Sequence, residues 1–304
     1  MQWQGVMPAM TTAFDAQLNV DHAFLARHAR WLAANGCTGI VCLGSLGEAA
    51  TLKFEEKIAV VKTAAEAVPV PVVGAVSALS TAEAVAIAKA AEDVGAQGLM
   101  ILPPYVYLGD WRETKAHIAA ILRATPLPAM LYNNPVAYGT DFVPEQIAEL
   151  AAEFANLATV KESSTDVRRV TAIRALTGER LAIQVGVDDA IVEGIEAGAV
   201  GWIAGLVNAL PRESVELFNL AASGCRQQAF ELYRWFLPLL RMDTAPKFVQ
   251  LIKQVQEELG IGSARVRPPR LQVVGEELAA VRAAVARALA SRPKEAVAST
   301  PFEA

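Results

Sequence analysis

Residues 70–102 read VPVVGAVSALSTAEAVAIAKAAEDVGAQGLMIL and contain one complete strand–helix–strand repeat. The run 70–76 is almost continuously apolar and rich in valine, the pattern of a strand covered on both faces. Ser80 and Glu83 have the spacing of a capping box and precede an amphipathic run, 84–94, that Gly95 stops. A second apolar run, 98–102, follows at once. Two strands joined through a helix of this length lie parallel in one sheet.

The same rhythm extends in both directions. Strand-type runs occur at 5–11, 39–43, 70–76, 98–102, 129–132, 158–161, 182–185 and 200–204. Asp21 opens a helix that ends near Gly36, and Asp188 opens another that ends at Gly198. Roughly eight strand–helix units in about 220 residues predict an α/β fold of the (β/α)8 TIM-barrel type. The rival is an open doubly wound sheet. That fold carries a glycine-rich phosphate turn after its first strand, whereas here the first strand runs into Thr11-Thr12-Ala13-Phe14.

After Pro211 the alternation stops. Helical patterns over 212–222, 226–241, 244–259 and 276–290 read as a helical cap and oligomer surface. Trp235, Phe236 and Leu239 are candidates for a subunit contact, although core packing is the commoner fate of such residues. The chain thus divides into a barrel, 1–222, a C-terminal helical region, 223–290, and an aperiodic end, 291–304, expected to be a mobile tail.

The composition excludes several function classes. The chain has 304 residues, 53% of them apolar, and a formal net charge of −5. It carries no block of Lys and Arg long enough to follow a phosphate backbone, so no nucleic-acid partner is expected. The longest uncharged stretch, 67–82, is interrupted by Pro69 and Pro71 and is too short to span a bilayer. The opening MQWQGVMPAM does not have the pattern of a signal peptide. Cys37, Cys42 and Cys225, with His22, His28 and His117, show no metal-ligand spacing. Cys37 and Cys42 read as small buried apolar side chains. A cytoplasmic protein without a metal or organic cofactor is expected.

In a barrel the chemistry lies at the carboxyl ends of the strands, so reactive side chains that end a strand are the ones to weigh. Lys161 closes the apolar run that begins at Ala158. It either snorkels outward to a salt bridge or sits in the barrel mouth. There, burial lowers the ammonium pKa and gives an amine able to attack a carbonyl carbon. Tyr132 closes the neighbouring run and precedes Asn133-Asn134-Pro135. It reads as a proton shuttle or as a half-buried phenol bonded to a loop carbonyl. Gly44-Ser45-Leu46-Gly47-Glu48 follows the second strand. Its glycines let backbone amides face a small anion, and Ser45 adds a hydroxyl. Without the lysine of a P-loop it suits a carboxylate better than a diphosphate. An ordinary strand–helix turn is the plainer alternative. Each signal is weak singly, but all three fall on strand ends that share one mouth.

Together, Gly44-Ser45-Leu46-Gly47-Glu48, Tyr132-Asn133-x-Pro135, Val160-Lys161-Glu162 and Gly186-x-Asp188-Asp189 resemble the dihydrodipicolinate synthase / N-acetylneuraminate lyase family over residues 5–290. The resemblance implies a barrel with a helical C-terminal region and a homotetramer made of two tight dimers. It implies Lys161 as the Schiff-base lysine, Tyr132 as the proton-relay phenol and Ser45 as the relay hydroxyl. It also implies Gly186 and Ile203 as residues lining the pocket near a bound 2-oxo acid; Gly44, Leu46 and Gly47 of the anion-binding turn, and Tyr107, complete the expected substrate-binding set. The synthases carry G-T-T-G-E, whereas Leu46 replaces the second Thr here. They also have an arginine where this chain has Ala137, which argues against an aldehyde substrate with its own carboxylate. The family's tyrosine donated across the dimer aligns with Val106, between Tyr105 and Tyr107.

The Tyr132–Gly139 motif, with Gly186-Val187-Asp188-Asp189 and Trp202-Ile203-Ala204-Gly205, most resembles the hydroxyproline-degrading branch. That branch implies deamination of the cyclic imine 1-pyrroline-4-hydroxy-2-carboxylate to 2,5-dioxopentanoate and ammonia. The alternatives are an aldolase or dehydratase for a 2-keto-3-deoxy sugar acid, dihydrodipicolinate synthase itself, and, from another class, a non-catalytic carboxylate-binding barrel.

Overall fold

The computed structural model describes residues 1–293 and 299–302. Eight strands form one parallel sheet: β1 (Gly5–Pro8), β2 (Ile40–Cys42), β3 (Val72–Val76), β4 (Gly98–Ile101), β5 (Ala129–Asn133), β6 (Leu157–Glu162), β7 (Ala182–Val185) and β8 (Gly201–Ala204). Their order is β1-β8-β7-β6-β5-β4-β3-β2. The ring closes between β1 and β2, where Thr38 N donates to Val6 O at 2.9 Å and Met10 N to Val41 O at 2.8 Å. The fold is therefore a TIM barrel. Strands covered on both faces tolerate no polar exposure, which explains why their sequences are continuously apolar.

The surrounding helices are α1 (His22–Ala34), α2 (Phe54–Ala67), α3 (Thr81–Asp93), α4 (Trp111–Ala124), the single turn α5 (Pro135–Tyr138), α6 (Pro144–Glu153), α7 (Arg168–Thr177), α8 (Ile191–Glu196) and α9 (Pro211–Ala222). Ser80 caps α3 by accepting from Glu83 N at 3.2 Å. The Glu83 carboxylate does not complete the box but lies 3.7 Å from Lys57 Nζ. The helix expected to open at Asp188 begins as a short 3-10 turn, and α8 proper starts at Ile191. Asp188 is drawn inward by bonds to the β8 end, described below, and so does not cap a helix.

Three helices follow the barrel: α10 (Arg226–Leu240), α11 (Phe248–Glu258) and α12 (Gly275–Ala290). The pattern read as one helix over 244–259 is broken. A 3-10 turn (Arg241–Thr244) ends at Ala245-Pro246, and proline's fixed φ and missing N–H prevent α10 from running into α11. Phe236 and Leu239 are buried inside the chain. Trp235 stacks on Phe236 with ring centroids 5.1 Å apart and donates from Nε1 to Ala288 O at 2.9 Å. Phe236 and Leu239 are thus in the core, the commoner fate, and Trp235 ties α10 to α12.

Part of the end expected to be a mobile tail is docked. Thr300 O accepts from Trp31 Nε1 at 2.8 Å, and Thr300 N donates to Asn35 Oδ1 at 2.9 Å. Phe302 packs edge-on against Trp31, centroids 5.4 Å apart. Residues 294–298 and 303–304 lie outside the described residues. Cys37 and Cys42 are buried, and burial raises both thiols, Cys42 to about 12. Among the described residues no helix is long and apolar enough to cross a membrane, and no group of three or more His, Cys, Asp or Glu side chains is placed to hold a metal.

Candidate active site

The carboxyl ends of the strands open onto a cavity of about 540 Å³. Parallel register sets its centre, because Tyr132 on β5 stands opposite Lys161 on β6. Alternation along β6 turns Lys161 into the barrel and Glu162 away from it. Glu162 accepts from Asn133 Nδ2 at 3.0 Å and from Ser164 N at 2.6 Å, and Asn133 Oδ1 accepts from Phe142 N at 2.9 Å. This outward pair anchors the loops that follow both strands.

The Lys161 ammonium is 4.2 Å from the centroid of the Tyr132 ring. Only 6% of the lysine is exposed. Burial pulls its pKa down to about 8, and the negative charges of Asp243 and Asp188 limit the fall. The snorkelled, salt-bridged alternative is therefore not the one formed. Gly186 on the neighbouring turn is a steric requirement. A Cβ there would meet Ser163 Oγ at 2.0 Å and Lys161 Cε at 2.7 Å.

Tyr132, Tyr138 and Ser45 bring hydroxyls into the same cavity as the amine. The Tyr132 hydroxyl accepts from Asn134 Nδ2 at 2.9 Å, and burial raises its pKa. Tyr138 hydrogen-bonds Ser45 Oγ and stands edge-on to Tyr132, with ring centroids 5.8 Å apart. Tyr105 packs beside Tyr138 at 6.1 Å and also lines the cavity. Tyr138 went unnoticed in the sequence because it lies on α5 rather than on a strand end. Tyr107, by contrast, turns outward and donates to the Glu113 carboxylate at 3.0 Å, so within one chain Tyr105 is the tyrosine from this loop that reaches the cavity.

The turn after β2 is strained. Leu43 has φ +66° and Glu48 φ +55°, values that non-glycine residues rarely adopt. Gly44, Ser45 and Leu46 line the cavity. Among the described residues neither the Ser45 nor the Leu46 N–H has a protein acceptor, which leaves both amides free for an anion. Gly47 is set back from the cavity. Its carbonyl accepts from Thr12 Oγ1 at 2.6 Å, and a Cβ would press on Met10 O at 3.0 Å, so it serves the turn and does not contact the cavity. Ile203 and Gly186 also line the cavity. Asp188 is fully buried and accepts from Leu206 N at 2.7 Å, Gly205 N at 3.0 Å and Trp202 Nε1 at 3.0 Å. Burial raises its pKa to about 6 against those bonds.

Two charged residues of the C-terminal region also line the cavity, Asp243 and Arg270. Sequence reasoning missed both, because it read that region only as helices. The break at Pro246 was the available signal that a loop there turns toward the barrel.

The chain matches the model of the Dihydrodipicolinate synthetase family over residues 2–288. It belongs to that family. It is 31% identical over 284 residues to a 4-hydroxy-tetrahydrodipicolinate synthase of Methanothrix thermoacetophila, covering 92% of this chain and 95% of that protein. It is 32% identical over 288 residues to one of Mesorhizobium japonicum, covering 94% and 98%. The solved 4-hydroxy-tetrahydrodipicolinate synthase of Methylacidiphilum fumariolicum SolV superposes with a TM-score of 0.92 at 27% identity, over 95% of this chain and 97% of that one. As a family member the chain is a class I Schiff-base lyase. All three of these relatives are named as synthases, so deamination is not carried over from them.

Proposed function

We propose that Lys161 forms an imine with C2 of a 2-oxo acid or a cyclic imine carboxylate, and that the reaction is the deamination of 1-pyrroline-4-hydroxy-2-carboxylate. The observation that carries the imine is the buried Lys161 amine, 4.2 Å from the Tyr132 ring centre. At neutral pH a usable fraction of such an amine is uncharged. The free Ser45 and Leu46 amides hold the C2 carboxylate, and Tyr132, Tyr138 and Ser45 pass protons between the amine and the substrate.

The lysine displaces the ring nitrogen by transimination, which opens the ring and leaves an amine on C5. Loss of a C3 proton gives an enamine that expels the C4 hydroxyl as water. Loss of a C5 proton, with protonation at C4 and C3, turns the resulting allylic amine into a C5 imine, and hydrolysis of that imine and of the lysine imine releases ammonia and 2,5-dioxopentanoate. The substrate assignment is supported by the cavity wall at Val136 and Ala137, which offers no cation to a second carboxylate. The clustered exposed side chains Val106, Tyr107, Leu108 and Val136 on the loops after β4 and β5 support the expected oligomer.

One observation favours the synthase reading, in which pyruvate adds to an aldehyde bearing a carboxylate. Arg270 borders the cavity and can serve in place of the missing arginine. Incubation with each substrate followed by borohydride and peptide mass analysis decides the imine. An adduct on Lys161 is expected, and none with any 2-oxo acid refutes it. Ammonia release from the pyrroline, against condensation of pyruvate with aspartate semialdehyde, separates the two reactions.

A further inference from the structure

We infer that Asp243 is the acid that protonates the substrate's C4 hydroxyl as it leaves, two carbons away from the lysine imine. The inference rests on the Schiff-base reading above. It applies equally to the pyrroline and to a 2-keto-3-deoxy pentonate, since both carry a hydroxyl at C4.

Asp243 enters the cavity from the 3-10 turn Arg241–Thr244, on a different part of the chain from every other group that borders the amine. Its entry depends on Gly205. A Cβ there would fall 2.0 Å from Asp243 Oδ1, so only glycine leaves room for the carboxyl. The Gly205 N–H is already committed to Asp188, at 3.0 and 3.1 Å. Among the described residues neither Asp243 oxygen has a hydrogen-bond or ion-pair partner.

A carboxyl brought into a half-enclosed cavity without a protein partner is expected to meet its partner on the substrate. It is not the counter-ion of Lys161, because no ion pair forms between them, although each feels the other's charge. Both line the same cavity, so a substrate imine-bonded to Lys161 can present its C4 hydroxyl to Asp243. The charges facing Asp243 are Lys161 from β6 and Asp188 and Asp189 from the turn after β7. Asp189 is itself 3.6 Å from Arg241. Burial and the two nearby carboxylates favour the protonated form of Asp243, and only Lys161 opposes it. A carboxylic acid kept neutral can donate.

The elimination balances as follows. The enamine nitrogen re-forms the C2 imine, and the C2–C3 electron pair moves to C3–C4. The C4–O bond breaks toward oxygen, and the Asp243 proton joins the departing hydroxyl to give water. Asp243, now a carboxylate, is placed to accept the C5 proton in the shift that converts the C5 carbon to the aldehyde level. No oxidant or reductant is needed.

The test uses the full chain with Asp243→Asn and Asp243→Glu, assayed on the pyrroline and on a 2-keto-3-deoxy pentonate. D243N is expected to form the borohydride-trapped pyruvate adduct on Lys161 and to lose C4 elimination by about 100- to 10,000-fold. Its trapped substrate adduct keeps the hydroxyl and is heavier by one water than the adduct of the species formed by elimination. D243E restores part of the rate, and a 4-fluoro analogue, whose leaving group needs less protonation, restores D243N. Wild-type rates in D243N, or no gain with the fluoro analogue, overturn the inference and leave the functional reading standing. If the wild-type enzyme does not release ammonia from the pyrroline but eliminates water from the pentonate, the deaminase reading fails, and D243N on the pentonate judges the inference. Elimination from neither substrate overturns both.

Discussion

Glu48 and Lys253 form an ion pair 2.7 Å long whose side chains are 0% and 2% exposed. It joins the strained turn after β2 to α11, across most of the chain. Glu48 also accepts from Arg267 N at 3.0 Å, and Lys253 Nζ donates to Arg265 O. The last residue of the Gly44–Glu48 motif therefore clamps the C-terminal region, while the first three line the cavity.

Breaking that pair from one side should be costly. Lys253→Met leaves a buried carboxylate and is expected to lower stability by about 3–5 kcal/mol, whereas adding Glu48→Gln recovers a large part of it. Denaturant unfolding of the two variants checks this. No recovery in the double variant shows that Lys253 matters for its packing alone.

The Lys161 amine sets a pH profile. Its folded pKa, about 8, lies below the usual lysine value because of burial. The free amine therefore grows roughly tenfold per pH unit up to about pH 8 and then levels off. The rate of adduct trapping with pyruvate should follow that curve. Lys161→Ala should abolish trapping and lower turnover by at least about 10⁴-fold, and Lys161→Arg should do the same, because a guanidinium stays protonated.

Gly186→Ala isolates positioning. The new methyl would strike Ser163 Oγ and the Lys161 stem, and it should displace the amine without removing it. A loss of about 100-fold in trapping rate with a near-normal unfolding curve is expected. An unaltered rate would mean that the lysine has more freedom than its packing implies.

His28 predicts acid sensitivity. Its Nε2 donates to Asn208 O at 2.9 Å, its Nδ1 has no partner among the described residues, and burial lowers its pKa to about 4. The folded value lies below the unfolded one, so folding favours the neutral ring. Its contribution is complete above about pH 6.5 and fades as pH falls toward 4, a loss on the order of 3 kcal/mol. His28→Gln keeps a donor and does not titrate. It should flatten the decline in stability between those pH values, as read by urea midpoints.

Much of this was legible in the linear chain. Continuous valine- and isoleucine-rich runs mark strands buried on both faces, and Gly95 and Ser80 bracket a helix by local backbone chemistry. Lys161 and Tyr132 stood out because each ends such a run. Tyr138, Asp243 and Arg270 did not, because none of them ends a strand. Asp188 was misread as a helix start because a capping aspartate and one that accepts from a distant turn look alike until Gly205 and Leu206 are in place.

The sequence by itself determined the barrel and the lysine at its mouth, since both follow from short-range patterns of burial and backbone preference. The tertiary structure alone decided what surrounds that lysine. The Tyr138–Ser45 contact, the glycine that admits Asp243 and the Glu48–Lys253 clamp join residues far apart in the chain, and the physics that couples them, low dielectric and close packing, acts only once the chain has folded.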